Sequence, residues 1–132
     1  MINKVGESRV INAFKVGDYF YLSEFQCSCC HTVKLVPYLV WMLDKLRKKI
    51  NAPIIITSGY RCKKHNKEVG GVKNSYHMRG MAADVYSKNY SPNELGRYTD
   101  EIGFDTIIVY PEKGFIHLDI RNNGLGLVWK ES

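Results

Sequence analysis

Two short segments gather side chains that can do chemistry. SYHMRGMAAD, from Ser75 to Asp84, carries a histidine and an aspartate with Gly80, Ala82 and Ala83 between them. FIHLDIR, from Phe115 to Arg121, sets His117 two residues before Asp119 in an apolar run. Zn²⁺ accepts imidazole nitrogen and carboxylate oxygen, and a catalytic site uses three protein ligands and keeps one position for water. His77, Asp84 and His117 would supply two neutral imidazoles and one carboxylate, leaving a net charge of about +1. Such a charge draws the pKa of bound water from about 15.7 toward about 7, so a hydroxide-like nucleophile exists at neutral pH. The same donors accept other divalent ions. Small residues between the first two ligands leave room for a pocket, and Gly80 permits a close backbone approach or an unusual turn.

In a strand, side chains alternate. His117 and Asp119 then share one face, and Ile116 and Leu118 take the other. An acid so placed is either a general base for the activated water or a partner that orients the imidazole. Taken singly, a histidine is more often a hydrogen-bonded core or surface residue, and His31 and His65 are read that way. His77 and His117 differ because each sits with an aspartate among small or apolar neighbours.

Four cysteines add a second feature. Cys27, Cys29 and Cys30 fall in QCSCCH, and Cys62 stands alone. The cluster could hold a second, structural metal together with Cys62 or His31, or form a disulfide; its CxCC spacing departs from the CxxC of a zinc knuckle. Structural or reduced thiols are expected here, not catalytic ones.

The elements that must position these residues follow from pattern. Val36, Leu39, Val40, Leu43, Leu46 and Ile50 recur at helical spacing, and Pro37 suits a first turn, predicting a helix from Pro37 to Ile50. YLSEF leads into it, with Ser23 a possible cap. PIIITSGY reads as a buried strand. Residues 61–69 suit a short helix or turn, and Gly70–Gly71 a loop. MAADVY reads as a strand. Ser91-Pro92 with Glu94 marks a capped helix running to about Ile102, stopped by Gly103. DTIIVY and FIHLDI are strands joined by a turn at Pro111 to Gly114, and GLVWK suits an edge strand. Residues 1–20 show no clear pattern. The expectation is one α+β domain over 1–132, with helices packed on a mostly antiparallel sheet.

At 132 residues the chain suits one domain with a real core. The net charge of +6 points to an anionic partner: an acidic cell-wall polymer, an anionic membrane surface or nucleic acid. No nucleic-acid motif accompanies it, so that class is the weakest. No apolar run reaches the roughly 18 residues of a membrane helix. MINKVGESRV lacks the apolar core of a signal peptide. Action outside the cytoplasm would then need lysis, a phage particle or a removed leader.

The pattern Ser-x-His-x-x-Gly-x-Ala-x-Asp, with a later histidine in a strand, stands complete in Ser75, His77, Gly80, Ala82, Asp84 and His117. It resembles the zinc D-alanyl-D-alanine carboxypeptidases and related peptidoglycan peptidases, which share a fold core with the hedgehog signalling domain. ITSGYRCKKHN, VGGVKNS, SEFQCSCC and the His-x-Asp ending are similar to the branch found in phage and bacterial cell-wall enzymes. The resemblance spans about residues 22 to 121.

It implies that His77, Asp84 and His117 bind Zn²⁺, and that Arg61 binds substrate or steadies the oxyanion, as a fixed guanidinium can. It implies that Ser75 hydrogen-bonds near the ligands or substrate, and that the partner is a peptidoglycan stem peptide cut by a monomeric enzyme. One departure stands out. Many relatives carry a catalytic acid three residues before the last ligand, where this chain has Gly114. Of the nearest acids, Glu112 and Asp119, Asp119 is the expected general base. By a second register, that of His-x-His relatives, Asp119 would be the ligand and His117 the transition-state stabiliser. The rival class is a non-catalytic zinc-holding module of the same fold.

Overall fold

A computed structural model describes residues 12–122 and the backbone of residues 128–131. The N-terminal MINKVGESRV, expected to carry no leader, lies outside the described residues. Two short strands, β1 (Lys15–Val16) and β2 (Phe20–Tyr21), form a hairpin in a stretch whose sequence shows no pattern. A 3-10 turn follows at Leu22–Phe25. Ser23, expected as a cap, lies inside this turn; the reciprocal capping bond is instead made by Glu24, whose carboxylate accepts from the Tyr21 amide.

Helix α1 spans Pro37–Ile50, as its periodicity predicts. Pro37 occupies the first turn, where its missing N–H costs nothing. Asn51 ends the helix in the left-handed region at φ 50°, and Arg47, Lys48 and Lys49 complement the negative end of the helix dipole. Its apolar stripe, Leu39, Leu43, Leu46 and Ile50, is buried in the main core. Helix α2 (Lys63–Glu68) is short, and α3 (Pro92–Ile102) opens on a full capping box. Glu94 N–H donates to Ser91 Oγ at 3.2 Å, and Ser91 N–H donates back to Glu94 Oε1 at 2.8 Å.

The remaining strands are β3 (Ile55–Ser58), β4 (Ala82–Tyr86), β5 (Thr106–Tyr110), β6 (Phe115–Asp119) and β7 (Val128–Glu131). They form one sheet in the order β3-β4-β6-β5-β7, antiparallel except for β7 beside β5. The fold is α+β, as expected. Alternation along β4, β5 and β6 sends Ala83, Val85, Ile107, Val109, Ile116 and Leu118 into the core shared with α1 and α3. Each of the valines, isoleucines and leucines among them contributes roughly 1.5–3 kcal/mol through burial. Truncating Leu43, fully buried in this layer, is expected to cost about 2–5 kcal/mol. The opposite face is thereby left to Asp84, His117 and Asp119.

β3 differs from the buried strand its isoleucines suggest. It is the sheet edge, and its residues are half-buried or exposed. The deepest isoleucine is Ile54, just before the strand. A bulge between Ile56 and Ser58, just after the isoleucine run, shifts the register of the strand's end.

Candidate metal centre

His77 sits on a 3-10 turn, Tyr76–Arg79, that the sequence did not show. Ser75 caps the turn, its Oγ accepting from the His77 amide at 3.2 Å. Gly80 closes it at φ 70°, where a Cβ would lie 2.4 Å from the Lys34 carbonyl oxygen. Both reasons for glycine at this position therefore apply: a left-handed turn and a close backbone approach. The Gly80 carbonyl in turn accepts from Val36 N–H at 2.9 Å, tying the turn to the start of α1.

Asp84 and His117 face each other directly across β4 and β6, being paired in register. His77 is brought up to the same carboxylate. Asp84 Oδ1 lies 3.2 Å from His77 Nε2 and 3.1 Å from His117 Nδ1. One donor atom from each of the three residues lies within 4.8 Å of the others. The sequence-predicted trio is thus assembled from a turn and two strands.

The hydrogen bonds fix which nitrogens are free. His77 Nδ1 lies 2.8 Å from the Gly59 carbonyl, which can only accept, so Nδ1 carries the proton and Nε2 presents a lone pair. His117 Nε2 lies 2.9 Å from Asp119 Oδ2, which likewise takes a proton from it and frees Nδ1. Both free lone pairs therefore point at the same oxygen of Asp84. Lone pairs facing a carboxylate repel unless a proton or a cation stands between them. The donor set fits Zn²⁺ on this ground: two oriented neutral imidazoles, each held by a partner on its far nitrogen, and one carboxylate. Without the ion, a proton on His117 takes its place. The pKa of His117, which burial alone would lower, is raised by the carboxylates of Asp119 and Asp84. Burial alone would raise Asp84, but hydrogen bonds from His117 and His77 hold it well below the carboxylate range.

Asp119 lies beyond His117, outside this trio. It is completely buried, and both oxygens are engaged. Oδ1 accepts from the Arg121 amide at 3.1 Å and from Arg121 Nε at 3.0 Å, while Oδ2 accepts from Arg121 Nη2 at 2.6 Å. Burial would raise its pKa, but the bonds to His117 and Arg121 lower it. Arg121 itself stacks on Tyr76, its guanidinium 4.3 Å from the ring centroid, which returns the chain to the His77 turn.

Arg61 adjoins the trio from the other side. The β3 bulge lets Ser58 pair with Asp84, and Ser58 Oγ accepts from Arg61 Nε at 3.0 Å. Arg61 Nη1 donates to Asn66 Oδ1 at 3.3 Å, and Nη2 to Asp84 Oδ2 at 3.1 Å. Arg61 N–H also donates to the His77 carbonyl at 3.1 Å. The guanidinium is thus oriented by three partners from separate segments. Beside it opens a cavity of about 220 Å³ lined by Gln26, Ser28, Ser58, Tyr60, Arg61 and His65.

Several of these residues escaped the sequence reading. Ser58, Asn66 and Arg121 act through side-chain pairings that leave no periodic trace. Tyr110 had a signal: it follows Ile108 by two in β5, and Ile108 pairs with His117, so Tyr110 lies on the site face. Burial raises its phenol pKa, and the charge of Asp84 adds to the rise. Gly114, where an acid was sought, closes the β5–β6 turn at φ 80°, with its N–H bonded to the Tyr110 carbonyl at 2.9 Å. The turn geometry selects glycine there.

The four cysteines also converge, with no disulfide between any two of them. His31 lies outside their cluster. Its left-handed backbone, φ 62°, helps close the Cys27–Thr32 loop, in which its N–H donates to the Cys27 carbonyl at 2.8 Å.

Among the described residues, no helix is long and apolar enough to cross a membrane. The family model described as Peptidase M15 matches residues 18–119. No curated protein matches the chain.

Proposed function

The chain belongs to the M15 family of zinc peptidases, and from that premise we propose that it hydrolyses a peptide bond in the peptidoglycan stem, next to a D-amino acid. The observation that carries this reading is the fixed guanidinium of Arg61, held 3.1 Å from the carboxylate shared by His77 and His117. A substrate carboxylate or a developing oxyanion can meet a pre-oriented fork there. The surplus of basic residues favours docking on an anionic wall.

His77, Asp84 and His117 would hold the zinc. When bound, zinc supplies Lewis-acid activation of water and of the scissile carbonyl. Gly59 and Asp119 keep the two imidazoles in the tautomers that leave Nε2 of His77 and Nδ1 of His117 free. Ser75 supports His77 through its backbone. Asp119 was expected to shuttle the proton; we assign it the orienting role instead, because it is fully buried and both its oxygens are bonded. The same commitments support His117, not Asp119, as the third ligand. Delivery to the wall by lysis or within a particle completes the reading.

One observation favours a second reading, a zinc-holding module that binds wall peptide without turnover. Gly114 replaces an acid, and Asp84 and Asp119, the acids bonded at the cluster, are both committed. Digestion of purified peptidoglycan with and without chelator, followed by mass spectrometry of the muropeptides, separates the two. New stem fragments that vanish with chelator support hydrolysis and name the bond. Intact muropeptides with retained binding to the wall would establish the module.

A further inference from the structure

The three clustered cysteines meet the distant Cys62, the residue next to Arg61. Cys29 Sγ lies 3.5 Å from Cys27 Sγ and 3.3 Å from Cys62 Sγ, and all four sulfurs lie within 4.8 Å of one another. A zinc ion with four thiolates at about 2.3 Å sets its sulfurs about 3.8 Å apart in a tetrahedron. The two shortest contacts, 3.5 and 3.3 Å, fall a few tenths of an ångström inside that spacing, and no pair exceeds 4.8 Å. Two backbone amides already aim at sulfur: Cys62 N–H at Cys27 Sγ, 3.5 Å, and His65 N–H at Cys62 Sγ, 3.4 Å. Such donors favour the thiolate form that a metal requires.

Packing does not explain the convergence. Cys27 is buried, but Cys29 and Cys30 are exposed, so no shared burial draws the four together. A single disulfide would leave two sulfurs crowded against it. Four thiolates in a closed shell, with no position left for water, are the donor set of a structural zinc ion.

We infer that Cys27, Cys29, Cys30 and Cys62 form a second, closed zinc site that pins the segment bearing Arg61 to the Cys27–Cys30 loop. Cys62 is the next residue after Arg61 and caps α2. Neighbouring bonds run the same way: Tyr60 N–H donates to the Phe25 carbonyl at 2.7 Å, and Ser28 Oγ lies 3.1 Å from His65 Nε2. Gly59 fits this seam closely, since a Cβ there would lie 2.7 Å from the Phe25 backbone. The ion holds the start of α2, and with it one wall of the cavity beside Arg61, against this loop. The site stands whether or not the chain is a peptidase.

The test is metal content of the purified full chain, by mass spectrometry of the metals, with cobalt reconstitution. Wild type is expected to hold two zinc ions, and His77→Ala one. Cobalt-loaded His77→Ala should show thiolate-to-metal charge-transfer absorption, and Cys29→Ser/Cys30→Ser should lack it. Because the cysteine variant can fail to fold, alkylation of wild type gives an independent reading: all four thiols resist a maleimide until chelator is added. A His77→Ala protein without metal, or thiols that react fully before chelation, overturns the inference. Neither readout depends on activity, so loss of the peptidase reading would leave this one intact.

Discussion

The two donor clusters flank Arg61 and are built in opposite ways. His77, Asp84 and His117 lie largely buried on the sheet face, their backbones held by β4–β6 pairing and by a capped turn. The cysteines lie partly exposed, on a loop and at the start of a six-residue helix. In the first cluster the protein sets the geometry, and far-side partners have already chosen the tautomers. In the second, the sulfurs sit among a few backbone and side-chain bonds across the seam, such as Tyr60 N–H to the Phe25 carbonyl and Ser28 Oγ to His65, with no strand pairing to set their geometry. An ion would be a reagent at the first and a fastener at the second. That difference predicts which substitutions abolish chemistry and which loosen structure.

The largest expected effect is at the first cluster. His77→Ala removes a ligand whose loss leaves Asp84 and His117 a poor pair for zinc. Activity on peptidoglycan should fall on the order of a thousandfold or more, since several kcal/mol of charge stabilisation disappears. The thermal midpoint should move little in comparison, because the turn is held by Ser75 and Gly80. A variant with near-normal turnover would break the distinction between the clusters. Next is Arg61→Lys, which keeps the charge but cannot bond Ser58, Asn66 and Asp84 together. An oxyanion donor is worth about 10²–10³ in kcat, so a loss of about a hundredfold with zinc retained is expected. An unchanged kcat would remove Arg61 from the reaction. Asp119→Asn should hold zinc more weakly or turn over about 10–100-fold more slowly, the usual effect of losing a carboxylate that orients a ligand histidine. Full retention of both would show that Arg121 and the strand hold His117 unaided.

The contrast between the clusters also explains what could be read from sequence. Helices α1 and α3 were legible to the residue because their stripes and caps are local: Pro37, Ser91, Glu94 and Gly103 act within one turn of themselves. Ser75 to Asp84 was legible for the same reason, being a compact run of small residues and donors. The cysteines gave a weaker signal, since the fourth sulfur sits 32 residues beyond Cys30 and the spacing matches no knuckle. The support network was not legible at all. Ser58 reaches Asp84 only through a bulge that slips the register of β3, and an isoleucine run ahead of a bulge looks like an ordinary buried strand. Asp119 looked free because an acid two residues from a histidine shares its face. Nothing local showed that Arg121 would fold back and take both its oxygens.

The smallest effect concerns pH in the metal-stripped protein. Burial opposes charge on His117, yet Asp119 and Asp84 raise its pKa above the ordinary value of about 6.5. The folded chain therefore binds that proton more tightly than the unfolded chain does. The resulting stability is fully present below about pH 6.5 and is lost as pH rises through the folded-state value. Asp84 and Asp119 are shifted downward; they stay ionised in both states across this window and add no slope there. With chelator present, the denaturant midpoint should fall as pH rises from about 6 to above the folded pKa of His117. Zinc must displace the same proton, so its stabilising effect should grow over that range. Burial would raise Cys27, but hydrogen bonds from Cys62 and Cys29 bring it down to about 6, and its ionisation opposes this fall; Cys29→Ser/Cys30→Ser should therefore keep the fall or steepen it in the stripped state, and Asp119→Asn should lessen it. A slope that instead vanished with the cysteines would place the titrating group at the wrong cluster and undo the division between them.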